Sequence, residues 1–281
     1  MMKLVSFDAF RTLHFPTHTI LKPEQLLSAR AAILDSDWVL YPPYWLLNSL
    51  VYGLGARVFP SLPTYMIGHN KIEMTRIFEL IVPGHVPWTL IRANTPENCE
   101  EVWKQMSTPF VAKLPKSSMG EGVFLIEQRV QWQRYCEKTD VLYAQECLPI
   151  DRDMRIVVIG DDIIGGYWRV QSPYSFHNNI ARGGEILHGP IPPVAVELVR
   201  KIMTALCIDH AGFDIAMVGG VPYIFEFNRL FGNRGLNIGQ MDVSARIVSY
   251  LQRIIDKEDP TKPVSPRGGT GKARKRRRVA Y

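Results

Sequence analysis

A chain of 281 residues, 46% hydrophobic and 21% charged, has the composition of a water-soluble globular protein with room for about two domains. Its formal net charge of +6 is local, because residues 267–278, RGGTGKARKRRR, carry seven basic and no acidic side chains. The remainder is close to neutral, which excludes whole-surface affinity for nucleic acid and confines any such affinity, or a ribosome contact, to the tail.

Four cysteines, Cys99, Cys136, Cys147 and Cys207, form no CxxC pair and read as free buried thiols of a reducing cytosol. The start, MMKLVSFDAFRTL, lacks the apolar core of a signal peptide, so a cytoplasmic location is expected. The most apolar stretch, WVLYPPYWLLNSLVYGLGARVF, is broken by Pro42, Pro43, Gly53 and Gly55. It reads as strand, turn and helix packed on a core, not as a membrane span.

Residues 1–70 read as a small α/β unit: DWVLYPP a strand, YWLLNSLVYGLG a helix closed by glycine, ARVFPS a second strand. HNKIEMTRIFELI has helical apolar spacing, and the two prolines of VPGHVPW end it. TPENCEEVWKQM is a helix with Thr95 as N-cap and Pro96 at its first position. PFVAKL, GVFLIE and VLYAQECL read as strands, and RIVVIGDDIIGGYWRV as a hairpin turning at Asp161-Asp162. SPYSFHNNIARGG is loop-like and PPVAVELVRKIMTALCI helical; AGFDIAMVGGVPYIFEFN is a second hairpin, turning at Gly219-Gly220, and DVSARIVSYLQRII a closing helix. From about Lys257 the chain has almost no apolar residues and reads as a disordered tail.

The last strand raises a chemical question. In FEFN, Glu226 and Asn228 share one strand face while Phe225 and Phe227 take the other. A buried carboxylate needs a cation or a metal. Asp214 and Glu226 are equidistant from Gly220, so an odd-residue turn or a bulge sets them directly opposite, with Cβ atoms about 4.5–5.5 Å apart. A plain two-residue turn puts them on opposite faces. Facing carboxylates repel unless a cation lies between them, and Asp, Glu and Asn oxygens suit Mg²⁺, which completes its shell with water and phosphate. An exposed acidic hairpin face is the other reading of the same residues.

A phosphate partner is provided for in VAKLPKSSMGEGVFL. Lys113 leaves one strand, and a loop with Ser117, Ser118, Gly120 and Gly122 enters the next, so backbone N–H groups can lie over phosphates that the lysine neutralises. Alone, such a loop is equally a simple turn.

In order, the glycine loop after Lys113, the QE strand, DMRIVVIGDD, FHNNIARGG, AGFDI and FEFN resemble the ATP-grasp ligases, most closely the branch of the ribosomal-protein S6 glutamate ligase. The resemblance runs from about Lys71 to Asn237. It implies an α/β (α+β) ATP-grasp fold: an N-terminal pre-ATP-grasp domain over 1–70, an ATP-grasp domain over 71–256 with a flap at about 95–147 and a C-terminal mixed sheet, and a basic tail over 257–281. It implies ATP and two Mg²⁺ (or Mn²⁺) as cofactors, held by Asp214, Glu226 and Asn228. Lys71 and Lys113 then face the nucleotide with Ser117, Gly120 and Gly122, Glu146 and Cys147 form the adenine hinge, and Asp153 contacts ribose or nucleotide. Arg155, Arg169 and Asn179 receive the transferring phosphoryl group. The implied activity joins a carboxylate to an amine through an acyl phosphate, releasing ADP and phosphate, with free amino acids, peptide termini or small metabolites as substrates and a homo-oligomer as the usual state. The alternative is an ATP-binding protein acting as a kinase or a non-catalytic module. Two departures stand out: His177 where the family often has arginine, and RLFGNRG after Asn228 in place of small residues and proline. Arg229, Phe231 and Arg234 there read either as recognition of an acidic substrate group or as a solvated loop.

Overall fold

The computed structural model describes residues 2–116, 122–170, 185–232, 235, 236 and 239–258. Ser117, Gly120, His177, Asn179, Arg234 and the basic tail lie outside the described residues. Three sheets organise the rest.

The N-terminal sheet is parallel, in the order β2-β1-β3-β4, from β1 (Leu4–Ser6), β2 (Thr19–Ile20), β3 (Trp38–Leu40) and β4 (Val58–Phe59). Helices α1 (Arg30–Leu34) and α2 (Leu62–Ile67) accompany it, and Ser61 caps α2 by accepting from Thr64 N at 3.3 Å. The helix expected over YWLLNSLVYGLG is two irregular turns, a 3-10 turn at Tyr44–Leu46 and a wide π turn at Ser49–Gly53. Proline before it and glycines after it leave too few residues for a regular α-helix.

Helix α3 (Lys71–Ile81) follows, its first turn capped by the Asn70 side chain, which accepts from Ile72 N at 2.9 Å. The second sheet is antiparallel, in the order β5-β8-β6-β7, from β5 (Thr89–Ala93), β6 (Phe110–Lys113), β7 (Val123–Ile126) and β8 (Val141–Glu146). Helices α4 (Pro96–Gln105) and α5 (Arg129–Cys136) close its core around Phe110, Trp132 and Tyr135. Thr95 caps α4 as its sequence predicts, accepting from Asn98 N at 3.2 Å.

The third sheet has the order β11-β10-β9-β12-β13, from β9 (Arg152–Ile159), β10 (Asp162–Val170), β11 (Glu185–Leu187), β12 (His210–Val218) and β13 (Val221–Asn228). Every described pairing in it is antiparallel, so the expected mixed C-terminal sheet is corrected; parallel pairing belongs to the N-terminal sheet. The β9–β10 turn is Gly160-Asp161, one residue earlier than the sequence suggested. Gly160 has φ +65°, which a glycine adopts without strain, and this fixes the turn there.

Both faces of this sheet are covered. Met154, Ile156 and Val158 of β9 face α3 and α6 (Pro193–Leu206), while Val157 and Ile159 join a second core with the N-terminal sheet and α7 (Gln240–Glu258). The odd-numbered face of β9 is therefore apolar at one end and carries Asp153 and Arg155 at the other. Across it, Gly212 of β12 leaves room for Arg155, since a Cβ there would stand 3.0 Å from Arg155 Cδ.

Candidate active site

The turn between β12 and β13 is the two-residue Gly219-Gly220, with φ +57° and +81°. Alone it would place Asp214 and Glu226 on opposite faces. A bulge resolves this: Ile215 pairs with Ile224, but Asp214 pairs with Glu226, leaving Phe225 as an extra residue. The bulge resets the alternation, so Ile224 and Phe227 both reach the α6-side core while Glu226 and Asn228 turn with Asp214 to the opposite face. Phe225 does not share Phe227's core as the simple alternation predicted; its ring lies 5.5 Å from Lys113 Nζ.

Asp214 is the centre of the cluster. Arg155 donates to both its oxygens at 2.7 Å, and Arg169 Nη2 stands 3.2 Å from Oδ2. Burial alone would raise the Asp214 carboxyl, but the two guanidinium charges outweigh it and hold its pKa below the ordinary value. Arg169 also donates twice to Asp153, its cross-strand neighbour, at 2.7 Å. Asp153, Arg155, Arg169 and Asp214 thus form a neutral quartet of two cations and two anions, consistent with the conditions under which buried charge is tolerated.

Glu226 pairs with Lys71 at 3.4 Å, and Lys71 sits at the first turn of α3, its backbone N–H donating to Pro115 O at 3.1 Å. The Asn228 amide spans the two carboxylates, 3.3 Å from Asp214 Oδ2 and 3.4 Å from Glu226 Oε1. Lys113 is buried with a neutral side-chain partner, Gln145 Oε1 at 2.7 Å. Burial pushes its ammonium down to about 8, the nearby Lys71 charge adding to this and Glu226 opposing it. Gln145 is held in turn by Thr89 Oγ1 at 2.8 Å and Tyr143 OH at 3.2 Å. Gln145 was missed in the sequence; the available signal was a lone amide among apolar residues on the strand beside Lys113.

The other expected positions are placed as follows. Gly122 O accepts from Leu114 N at 2.7 Å, closing the base of the loop that follows Lys113. Glu146 ends β8 on the face opposite Gln145, where its carboxylate accepts from Trp88 N at 2.7 Å and its own N–H donates to Trp88 O at 2.9 Å. Cys147 follows it, with a half-buried thiol that burial keeps protonated. The structure thus gathers Lys71, Lys113, Asp153, Arg155, Arg169, Asp214, Glu226 and Asn228 together and sets Glu146 and Cys147 at the exit from the second sheet. Beside the cluster opens a cleft of about 530 Å³, lined by His69, Lys71, Lys116, Glu226, Asn228 and Arg229 among others.

The donor set fits a magnesium ion. No group of three His, Cys, Asp or Glu that could hold a metal is found among the described residues; beside the two carboxylates of Asp214 and Glu226 the neighbouring donor is the Asn228 amide. Three arginine contacts and the Asn228 N–H occupy the roughly four lone-pair positions of Asp214. Turning that amide half a revolution frees one position and presents its oxygen to the same point, in the volume already occupied.

An antiparallel sheet carrying two carboxylates and an amide, with a buried lysine on a facing sheet, is the arrangement of a nucleotide-binding α/β domain. Residues 82–251, more than half of the chain, match the RimK-like ATP-grasp domain, and the chain belongs to that family. It is 27% identical over 170 residues to a probable alpha-L-glutamate ligase of Coxiella burnetii, covering 57% of this chain and 56% of that protein. It is 26% identical over 169 residues to the ribosomal protein bS6–L-glutamate ligase of Salmonella paratyphi B, with the same coverages of 57% and 56%. The chain thus spans little more than half the length of these curated relatives. Among solved structures, a RimK-domain ATP-grasp protein of Sphaerobacter thermophilus superposes with a TM-score of 0.70 at 17% identity, covering 89% of this chain and 99% of that one. The D-alanine–D-alanine ligase of Bacillus anthracis complexed with ATP superposes at 0.65 with 13% identity, covering 92% and 100%. These likenesses establish an ATP-grasp fold. No described helix is long and apolar enough to cross a membrane.

Proposed function

We propose that this protein is an ATP-dependent carboxylate–amine ligase. The observation that carries the reading is Lys113: a buried ammonium with a neutral side-chain acceptor, facing two carboxylates and an amide suited to a divalent cation. That combination has one cation too many for a dry site, and a nucleotide triphosphate supplies the missing negative charge.

In this reading Lys113 and Lys71 bind phosphates, with Ser117, Gly120 and Gly122 from the segment that follows Lys113 in the sequence. Glu146 N–H is already used by Trp88, so adenine recognition falls to the Cys147 backbone. Asp214, Glu226 and Asn228 hold Mg²⁺ (two ions, Mn²⁺ substituting), which when bound neutralises charge on the phosphoryl oxygens. Arg155 and Arg169 stay fixed by Asp214 and Asp153 and present their remaining N–H groups, with Asn179, to the transferring phosphoryl group. A substrate carboxylate oxygen attacks the γ-phosphorus and ADP leaves with the bridging oxygen's electrons. An amine then attacks the acyl carbon, inorganic phosphate departs, and the amine gives up a proton as the amide forms. Neither step requires a nucleophilic side chain.

The names of the curated relatives, a probable glutamate ligase and a ribosomal protein bS6–L-glutamate ligase, support a protein or peptide and glutamate as the pair of substrates, and we place the reaction in the cytoplasm. We assign residues 1–70 to a pre-ATP-grasp domain, 71–256 to the ATP-grasp domain and 257–281 to a basic tail that contacts nucleic acid or the ribosome, and we take a homo-oligomer as the working state. The test is a screen of the full chain with Mg²⁺ and ATP against pooled carboxylates and amines, followed by mass spectrometry. ADP, phosphate and a new amide support ligation. A phosphorylated acceptor supports a kinase instead, and no ADP under any condition sinks the reading.

A further inference from the structure

The cleft beside Glu226 and Asn228 contains cationic groups that the phosphate chemistry does not use. Lys71 is compensated by Glu226, but Lys116 and Arg229 have no carboxylate partner among the described residues. Arg229 is the first residue after Asn228, at the start of the segment that departs from the family pattern. Its guanidinium is held rigidly, Nη1 3.4 Å from Gly68 O and the carbon centre 5.2 Å from the Tyr65 ring and 6.0 Å from that of Tyr44. Its Nε is buried and has no hydrogen-bond partner. That atom is out of a ligand's reach, but the rest of the half-buried guanidinium lines an open cleft with no carboxylate beside it among the described residues, and an anionic ligand would supply the missing charge.

The surroundings indicate the sign of that ligand. The start of α3 opens on the same cleft through Asn70 and Lys71, but its first two N–H groups are already taken by Pro115 O and the Asn70 side chain, so the charge a ligand meets is that of the side chains. His69 stacks on Tyr44 at 3.6 Å between ring centres, and burial, with the Arg229 and Lys116 charges, lowers its pKa. His69 therefore stays neutral and adds no competing cation, so a ligand here meets the Arg229 fork and the Lys116 point charge. The cleft of about 530 Å³ is shared: Lys71, Glu226 and Asn228 line the side given to phosphates and metal, and the side along His69, Lys116 and Arg229 is left for an amino acid or a short peptide end.

We propose that this cleft is a subsite for a carboxylate on the ligase substrate away from the reacting centre, with Arg229 as the residue that selects the acid over its neutral isostere and Lys116 as its aid. The inference rests on the ligase reading for the word substrate, and on the cleft alone for the anion. A planar guanidinium pairs with a carboxylate in two parallel hydrogen bonds, which a carboxamide cannot match because half of it is a donor.

The experiment is titration calorimetry of the full chain with Mg²⁺ and a non-hydrolysable ATP analogue. The probes are L-glutamate against L-glutamine, a peptide ending in glutamate against its side-chain amide, and inorganic phosphate. The wild type should bind at least one acid about 10- to 100-fold more tightly than its amide. Arg229→Gln should erase that preference by weakening the acid, with nucleotide affinity within about twofold of wild type, and Arg229→Lys should restore part of it. Should Arg229→Gln fail to fold, the exposed Lys116→Gln should still lower the preference several-fold. An acid-to-amide ratio unchanged in both variants overturns the proposal, as does a wild type that binds phosphate in an Arg229-dependent way and no acid. ADP release and amide formation with that ratio unchanged would sink the subsite and spare the ligase. Arg229-dependent acid binding without any ADP release would do the reverse.

Discussion

Asp214 and Glu226 face each other across one hairpin, yet their removal should have separable effects. Asp214 is buried and accepts from Arg155 at 2.7 Å through both oxygens and from Arg169 at 3.2 Å. In Asp214→Asn the amide nitrogen turns a donor toward a guanidinium donor, and the quartet is left with one uncompensated buried cation. Breaking a buried ion pair from one side costs about 3–5 kcal/mol. For a chain of this size, at about 2–4 °C per kcal/mol, the melting temperature should fall by roughly 6–20 °C. Glu226 is half-buried and, among the described residues, meets Lys71 at 3.4 Å and the Asn228 amide at 3.4 Å. Partly solvated pairs contribute about 0–1 kcal/mol, so Glu226→Gln should melt within a few degrees of wild type. Both variants should nonetheless lose Mg²⁺-dependent ADP release by at least about a hundredfold, since each removes one charge from the metal seat. Scanning calorimetry and a coupled ADP assay across a Mg²⁺ titration, run on both variants, separate the two effects. Equal melting shifts would refute the quartet as the structural role of Asp214, and full turnover in Glu226→Gln would refute the metal assignment.

Lys113 makes a prediction with a definite sign. Its folded pKa of about 8 lies below the unfolded 10.5, so between these values the unfolded chain binds more protons and stability rises with pH. Lys113→Met should therefore raise the melting temperature at pH 7 while weakening nucleotide binding at least about tenfold. In the wild type, nucleotide binding at pH 8 should take up roughly half a proton, read by calorimetry in buffers of different ionisation heat; no uptake would count against Lys113 as the phosphate lysine. Asp209 runs the other way. It accepts from Ser61 N at 2.8 Å and Thr64 Oγ1 at 3.2 Å, joining the α2 cap to the start of β12, and burial pushes its carboxyl up to about 6. From the ordinary 3.8 to about 6 the folded chain holds the extra proton, so stability falls as pH rises through that window and stays level above it. Asp209→Asn should flatten the slope and gain up to about 3 kcal/mol at pH 7, measured by denaturant titration at several pH values. Deleting residues 267–281 should abolish binding to single-stranded RNA, whose log affinity should fall against log salt with a slope of about −5 for the seven basic side chains, and should leave ADP release unchanged.

What the sequence made legible follows from how local each signal is. The Thr95 cap, the α3 period and the Gly219-Gly220 turn are set within a few residues, and each is found where it was expected. Strand β5 and helix α5 were not read, because TLIRA is short and RVQWQRYC spans only about two turns, with stability borrowed from the core around Phe110 and Trp132. In the site, spacing let Asp214, Glu226 and Asn228 meet only through an odd turn or a bulge, and the structure has the bulge. The Arg155–Asp214 and Arg169–Asp153 pairs depend on cross-strand register, which no single stretch encodes, so both arginines appeared available for phosphate when each is first an anchor for a carboxylate. Lys113's partner was hidden for the same reason: Gln145 comes from a strand 32 residues on.

Phe225 shows how one residue ties these levels together. The two-glycine turn fixes one register, and with simple alternation that register would send Glu226 to the face of Ile224, among Met74, Phe78 and Phe213. An unpaired carboxylate cannot be held there. The inserted residue keeps Ile224 and Phe227 in the core and delivers Glu226 and Asn228 to Asp214, and the displaced Phe225 ring is put under the Lys113 ammonium at 5.5 Å. The same bulge that assembles the proposed metal seat thus also lays an aromatic face against Lys113, a buried cation whose side-chain partner is neutral. A ring quadrupole offsets part of the desolvation of such a charge without supplying an anion. Lys113 is consequently stable enough to remain buried and still short of negative charge, the condition in which a triphosphate binds most favourably.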